Sequence, residues 1–175
     1  MANTETASGA LSVADLVLRV LIIGNWLMGG AILALLVLTP NEQWIMAAFK
    51  LSPSPDTARL IMGLRWVAVL GLVGIPLHYV VLKRLLAIVL TVRAGDPFVA
   101  TNARRLQAIA WALLALQLLS LVIGAIAKAV STTAHPLHLD AGFSVSGWLA
   151  VILTFLLARV FAEGTHMRED LAGTV

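Results

Sequence analysis

The side chains that could do chemistry in this sequence are few and scattered. His135 and His138 form a His-x-x-His pair with Asp140 close behind. That spacing permits zinc or copper ligation. Alone it is a weak signal, such pairs being ordinarily plain loop residues, and no metal is assigned. His78 is the histidine placed to touch an apolar interior. A haem carried by two histidines needs a second one at similar depth; none is found, so no cofactor is expected. Cysteine is absent, which removes thiolate metal sites, thiol nucleophiles, iron–sulfur clusters and disulfides. No Walker loop, His-Glu-x-x-His, Gly-x-Ser-x-Gly or dinucleotide fingerprint occurs. The carboxylates are not paired on one face, so no acid–base constellation appears. The expectation is a protein that is not an enzyme.

The elements that must position these residues are plain. Apolar stretches run over Leu16–Leu38, Leu60–Leu82, Ile109–Ala129 and Phe143–Phe161. Each is close to the ~20 residues with which a helix crosses the ~30 Å hydrocarbon layer of a bilayer. Backbone groups left unpaired in lipid are so costly that spanning segments are helices or closed barrels. The chain is 60% hydrophobic and 12% charged, with a mean hydropathy of +0.95. A soluble domain carries about 25% charged residues. The sequence therefore predicts an all-α polytopic membrane protein, a four-transmembrane-helix bundle in one domain over 1–175. Residues Met1–Ala14 hold no Lys or Arg and the first apolar run is long, so it reads as a retained span rather than a cleaved signal.

Basic residues orient the spans. The middle connection carries Lys83, Arg84, Arg93, Arg104 and Arg105. The positive-inside rule puts it in the cytoplasm together with both termini. Arg59 and Arg65 argue mildly against this, but their stems can snorkel. Trp44, Trp66 and Trp148 fall near the outer boundary and Trp111 near the inner one, while Trp26 lies deeper, as a packing residue would. Leu82, Leu85, Leu86, Val89 and Val92 recur at helical spacing, so the second helix should continue to about Val92. Ala94-Gly95 should stop it. Asp96 should cap a third helix with Pro97 at its first position. The result is a cytoplasmic helical hairpin over 83–108, either an inter-span turn with interface anchors or a partner-binding surface.

Further expectations concern packing. Asn25 and Gln117 lie within spans, where amides act as glue between helices or line a ligand site. Asp15 and Arg19 can pair across one turn. Gly63, Gly71 and Gly74 fall roughly on one face of the second helix, and Pro76 should kink or loosen it. Gln43–Leu51 could form a short interfacial helix, and Ser131–Gly142 reads as a polar loop. The halves do not repeat, which weakens an inverted-repeat transporter.

The fourth span ends in Val160-Phe161-Ala162-Glu163-Gly164, and Met167-Arg168-Glu169-Asp170-Leu171 follows, which can extend the helix although Gly164 weakens it. These motifs, with Gly95-Asp96-Pro97-Phe98 and Asn102-Ala103-Arg104-Arg105-Leu106-Gln107, resemble a bacterial family of four-span inner-membrane proteins, domain of unknown function twenty-nine seventy-five. The resemblance extends from the first span onward and brings no catalytic residues. Genes similar to this family often sit beside a small helix-turn-helix regulator, which implies a cytosolic protein partner. The docking surface would comprise Asp96, Pro97, Phe98, Asn102, Arg104 and Arg105 with Glu163, Arg168, Glu169 and Asp170 of the tail. Arg104 or Arg105 could bridge to Glu163, Glu169 or Asp170, pairs weak enough to open for a partner. Direct nucleic-acid contact is not expected, since topology and the lipid bilayer account for the basic residues. The alternatives are a transporter or channel subunit, which would have to act as a homo-oligomer, and an assembly subunit of a larger complex.

Overall fold

The computed structural model of the chain describes residues 2–38, 46–47, 54–96, 98–131 and 141–172, with side chains over 9–37, 46–47, 54–96, 98–131 and 141–167. Four long helices follow one another among them: α1 (Ala2–Leu38), α2 (Pro55–Arg93), α3 (Ala100–Val130) and α4 (Val145–Ala172). No strand occurs among the described residues. All four helices are long and apolar enough to cross a membrane. The chain is an all-helical, multi-pass membrane protein. The 39 residues of α2 reach about 58 Å at about 1.5 Å per residue, well beyond the hydrocarbon layer.

The helix ends follow local chemistry. Ser54 is extended and its hydroxyl accepts from the Thr57 amide at 3.1 Å, with Pro55 opening α2 behind it. At the other end the chain stops as expected. The Gly95 amide donates to the Val92 carbonyl and the Asp96 amide to that of Thr91, while Gly95 takes φ +83°. These two bonds and the left-handed glycine make a Schellman cap. The start of α3 differs from the expectation. Asp96 is the last residue of the α2 cap, not the N-cap of α3; Val99 holds that place in extended conformation, with no side-chain cap bond. A local Asp-Pro signal is overridden because Phe98 is drawn onto α4, as described below. Pro97 lies outside the described residues.

The helices pack in chain order: α1 on α2, α2 on α3 and α3 on α4, with α1 and α4 not in contact. The bundle is thus an open row. Its outer members show Leu16, Leu27 and Met28 of α1 and Ile152 and Leu156 of α4 to the surroundings. In water such a surface would aggregate; facing acyl chains it needs no cover. The buried cluster lies between α3 and α4, at Leu106, Ile109 and Ala158.

Because α2 sits inside the row, its glycines serve two neighbours rather than one. A Cβ on Gly63 would meet Val130 Cγ1 at 2.5 Å and one on Gly74 would meet Leu119 at 3.6 Å, both on α3. Gly71 instead turns toward Ile32 of α1. The single face expected from the sequence is two. α2 runs through Pro76 without interruption, and beside the proline the Asn25 amide donates to the Ile75 carbonyl at 3.0 Å. Trp26 packs on Tyr79 with ring centres 5.5 Å apart, and the Lys83 ammonium lies 5.3 Å from the same tyrosine ring. Met46 and Ala47 are helical; the rest of the Gln43–Leu51 segment, Trp44 included, lies outside the described residues.

At the far end from the α2–α3 hairpin, the returning chain presses on α3. The Gly142 amide donates to the Ser120 hydroxyl at 3.1 Å. A Cβ on Gly124 would lie 2.7 Å from the Gly142 Cα. Gln117 donates to the Ser144 carbonyl at 3.3 Å and packs against Gly147. Ser144 in turn accepts from the Gly147 amide at 3.1 Å, opening α4.

Candidate functional site

The hairpin end gathers most of the residues that the sequence marked. Its centre is Asn102, 0% exposed. A buried amide must find partners for both its ends. Asn102 Nδ2 donates to Thr91 Oγ1 at 2.8 Å, and Thr91 Oγ1 lies 2.7 Å from the Ile88 carbonyl. A hydroxyl has one proton. Spending it on Ile88 leaves the Thr91 oxygen free to accept from Asn102. On the other side Arg105 Nη1 donates to Asn102 Oδ1 at 2.8 Å and to the Ala87 carbonyl at 3.2 Å. The donors therefore run in one direction, guanidinium to amide to hydroxyl to carbonyl, and each acceptor but the last is oriented by its own donation. The chain of bonds ties α3 to the last turns of α2. Asn102 and Arg105 thus serve the hairpin from inside.

Phe98 ties the hairpin to α4. Its ring centre is 5.3 Å from that of Phe161, and a Cβ on Gly164 would meet its Cδ1 at 3.3 Å. The glycine therefore does not break α4, which continues to Ala172; it makes room for the aromatic ring. One turn later Thr165 is buried and returns its hydroxyl to the Phe161 carbonyl at 2.8 Å. Phe98 remains 45% exposed. Arg104 and Glu163 are exposed at this end as well, and Asp96 partly so.

α1 joins through charge. The Asp15 carboxylate takes Arg19 at 2.9 Å and Arg93 at 3.3 Å. The first pair was legible as an i,i+4 spacing. The second was not, because Arg93 is distant in sequence and only the fold brings it near. Both pairs lie among the described residues. Glu163 makes none with Arg104 or Arg105 there; Arg105 spends its guanidinium on Asn102 and Ala87. The side chains of Arg168, Glu169 and Asp170 lie outside the described residues, although their backbone is part of α4.

A groove of about 620 Å³ runs between α3 and α4 beside this surface, with Arg104, Arg159 and His166 on its walls. It was not foreseen from the sequence. Arg159 was visible only as a span-end cation, and nothing in the spacing of Arg104 and Arg159 places them on one groove.

The remaining candidates lie elsewhere. Asn25 and Gln117 each bond a neighbouring helix or its entry, as above, and do not face each other's partners. His78 is exposed toward the surroundings of α2, and its Nδ1 is 2.9 Å from the Gly74 carbonyl one turn back. His135, His138 and Asp140 lie outside the described residues. Among the described residues no group of three metal-ligating side chains occurs.

No curated protein and no solved structure matches the chain. One family does: that described as protein of unknown function (DUF2975), over residues 36–175. The match begins at Leu36, near the end of α1, and takes in the hairpin, the groove and the α4 extension. It leaves most of the first span outside, a narrower reach than the motifs implied. Covering more than half of the sequence, it places this chain in the DUF2975 family.

Proposed function

We propose that the chain is a non-enzymatic protein of the bacterial inner membrane, with both termini in the cytoplasm, and that its hairpin end docks a cytosolic protein such as a small helix-turn-helix regulator. The observation that carries this reading is the union of hairpin and tail. Phe98 is half-exposed yet held by Phe161 and Gly164, so the hairpin tip, with Asp96 two residues before the ring, and α4, with the exposed Glu163 beside the glycine, come from separate stretches of chain to one place. A surface held in place before binding loses less entropy when a partner arrives. The orientation is supported by the basic residues of this end, among them Arg19, Lys83, Arg84, Arg93, Arg104 and Arg159. Arg168, Glu169 and Asp170 belong to the proposed surface by their place on the α4 extension. Asn102 and Arg105 act on docking by holding the hairpin.

The test is co-purification of a small cytosolic helix-turn-helix regulator from the same cells with membranes carrying wild type, Phe98→Ala or Glu163→Arg. Both variants should release it at least about tenfold, the effect of losing about 1.4 kcal/mol. Glu163 is exposed and its replacement leaves the packing intact, so retention unchanged in Glu163→Arg and Phe98→Ala overturns the proposal.

A further inference from the structure

We propose that the groove between α3 and α4 is a binding site for the headgroup of an anionic phospholipid. Its floor is made by small residues, Ala103 and Ala158, whose size leaves the space open. Its polar walls are Arg104, Gln107, Arg159, Thr165 and His166, and no carboxylate is among the described residues that line it. Arg104 and Arg159 come from different helices. Neither has an ion-pair partner among the described residues. Glu163 lies four residues from Arg159, a spacing that favours a pair on a helix, and makes none. Two guanidinium forks thus converge on one concavity unneutralised by any described side chain. Guanidinium matches the geometry of phosphate oxygens and binds them in pairs.

Depth decides between a lipid and a free phosphate. Arg104 stands in the first turns of α3, before the apolar run that begins at Ile109, and Arg159 stands where the apolar run of α4 ends. The groove therefore straddles the level at which hydrocarbon gives way to headgroups. Its other end is Phe155, which meets Trp111 edge-on at 5.3 Å. That end lies within the spans, where an acyl chain can follow the headgroup and a free anion has no counterpart. The site needs the membrane-spanning fold but no docked protein, so it stands or falls apart from the regulator.

Full-length protein in a neutral detergent would be titrated with phosphatidylglycerol and with phosphatidylcholine of equal chain length, and bound lipid counted by native mass spectrometry. Wild type should prefer phosphatidylglycerol. Arg104→Gln with Arg159→Gln should weaken that binding about thirtyfold, roughly fivefold for each cation at a headgroup surface. Arg84→Gln, exposed on the hairpin and outside the groove, should bind as wild type. Arg159→Gln alone, with about a fivefold loss, carries the same test should the double variant not keep its helical circular dichroism. Equal binding of the two lipids by wild type, wild-type binding by the folded variants, an equal loss in Arg84→Gln, or displacement by glycerol 3-phosphate at matched concentration would each overturn the proposal.

Discussion

The two ends of this bundle hold α2 against α3 by opposite means. At the hairpin end α2 and α3 are joined by hydrogen bonds through Asn102, Thr91 and Arg105. At the far end α2 meets α3 through the absence of a side chain, Gly63 letting Val130 in; on the other side of α3, Gly124 takes the backbone of Gly142 against it beside the bonds of Ser120 and Gln117 to the return. The contrast follows from the solvent. Lipid offers little hydrophobic reward for bringing two apolar helices together, so association rests on close packing or on polar bonds. Close packing works at any depth. A guanidinium in a bonded chain is affordable only near the polar boundary, and that is where Arg105 lies.

The largest effect is expected where no atom can give way. Gly124→Ala would set a methyl 2.7 Å from the Gly142 Cα and 2.8 Å from the Ala141 carbonyl oxygen. Both belong to backbone, which moves only by shifting the return into α4. Overpacking of this kind costs about 1–3 kcal/mol. Gly63→Ala meets a side chain instead, that of Val130 at the last residue of α3, and should cost less; Val130→Ala clears the two methyls but keeps the Cβ 2.9 Å away, so it should relieve the loss in part while leaving Gly124→Ala unrescued. Thermal unfolding in detergent of the three variants and the Gly63/Val130 double variant checks this. Equal losses for Gly124→Ala and Gly63→Ala would show that the far end yields as one soft region.

The next effect breaks the other end. Asn102→Ala removes the middle of the bonded chain and leaves the Arg105 fork and the Thr91 hydroxyl short of a partner. Hydrogen bonds between membrane helices are worth about 0.6 kcal/mol on average and up to about 1.7. The charged donor puts this one toward the upper figure. Thr91→Val removes the hydroxyl but leaves the Arg105–Asn102 bond, so it should cost less, and the double variant should cost less than the sum. Additive losses in unfolding would show that the three residues do not act as a unit.

What the sequence disclosed divides along the same line. The four spans were legible because a run of some twenty apolar residues has few other uses, and the stop at Gly95 because a left-handed cap is written in one residue. Asn102 was legible only as a polar residue near a turn, and it was read as facing a partner. Its burial depends on Thr91 lying across the hairpin, and the signal was the placing of the two on either side of Gly95-Asp96. Asp96-Pro97 misled for the complementary reason. Its local meaning as a helix start was real, but the cap of α2 had already claimed Asp96, and the chain sets Phe98 on Phe161 before α3 opens behind an extended Val99. The groove was invisible, since the approach of Arg104 to Arg159 depends on how α4 packs on α3.

The smallest effect sharpens the comparison, because one glycine at the hairpin end resembles those at the far end. Gly164 faces Phe98, but its missing Cβ would sit 3.3 Å from an aromatic edge that is itself half-exposed. A ring on the surface can tilt by the few tenths of an ångström required; the backbone at Gly142 cannot. Alanine also favours the helix over glycine by about 0.8–1.0 kcal/mol. The two terms nearly cancel, and Gly164→Ala should unfold within about 0.5 kcal/mol of wild type, on the stabilised side if the ring moves freely. Gly164→Leu is different in kind: its branches would take the place of the ring, so Phe98 should leave Phe161 while α4 remains helical. A fluorescent or spin label at Phe98 would record the release. If Gly164→Ala costs as much as Gly124→Ala, the hairpin tip is as tightly built as the far end, and the division between a bonded end and a close-packed end is lost.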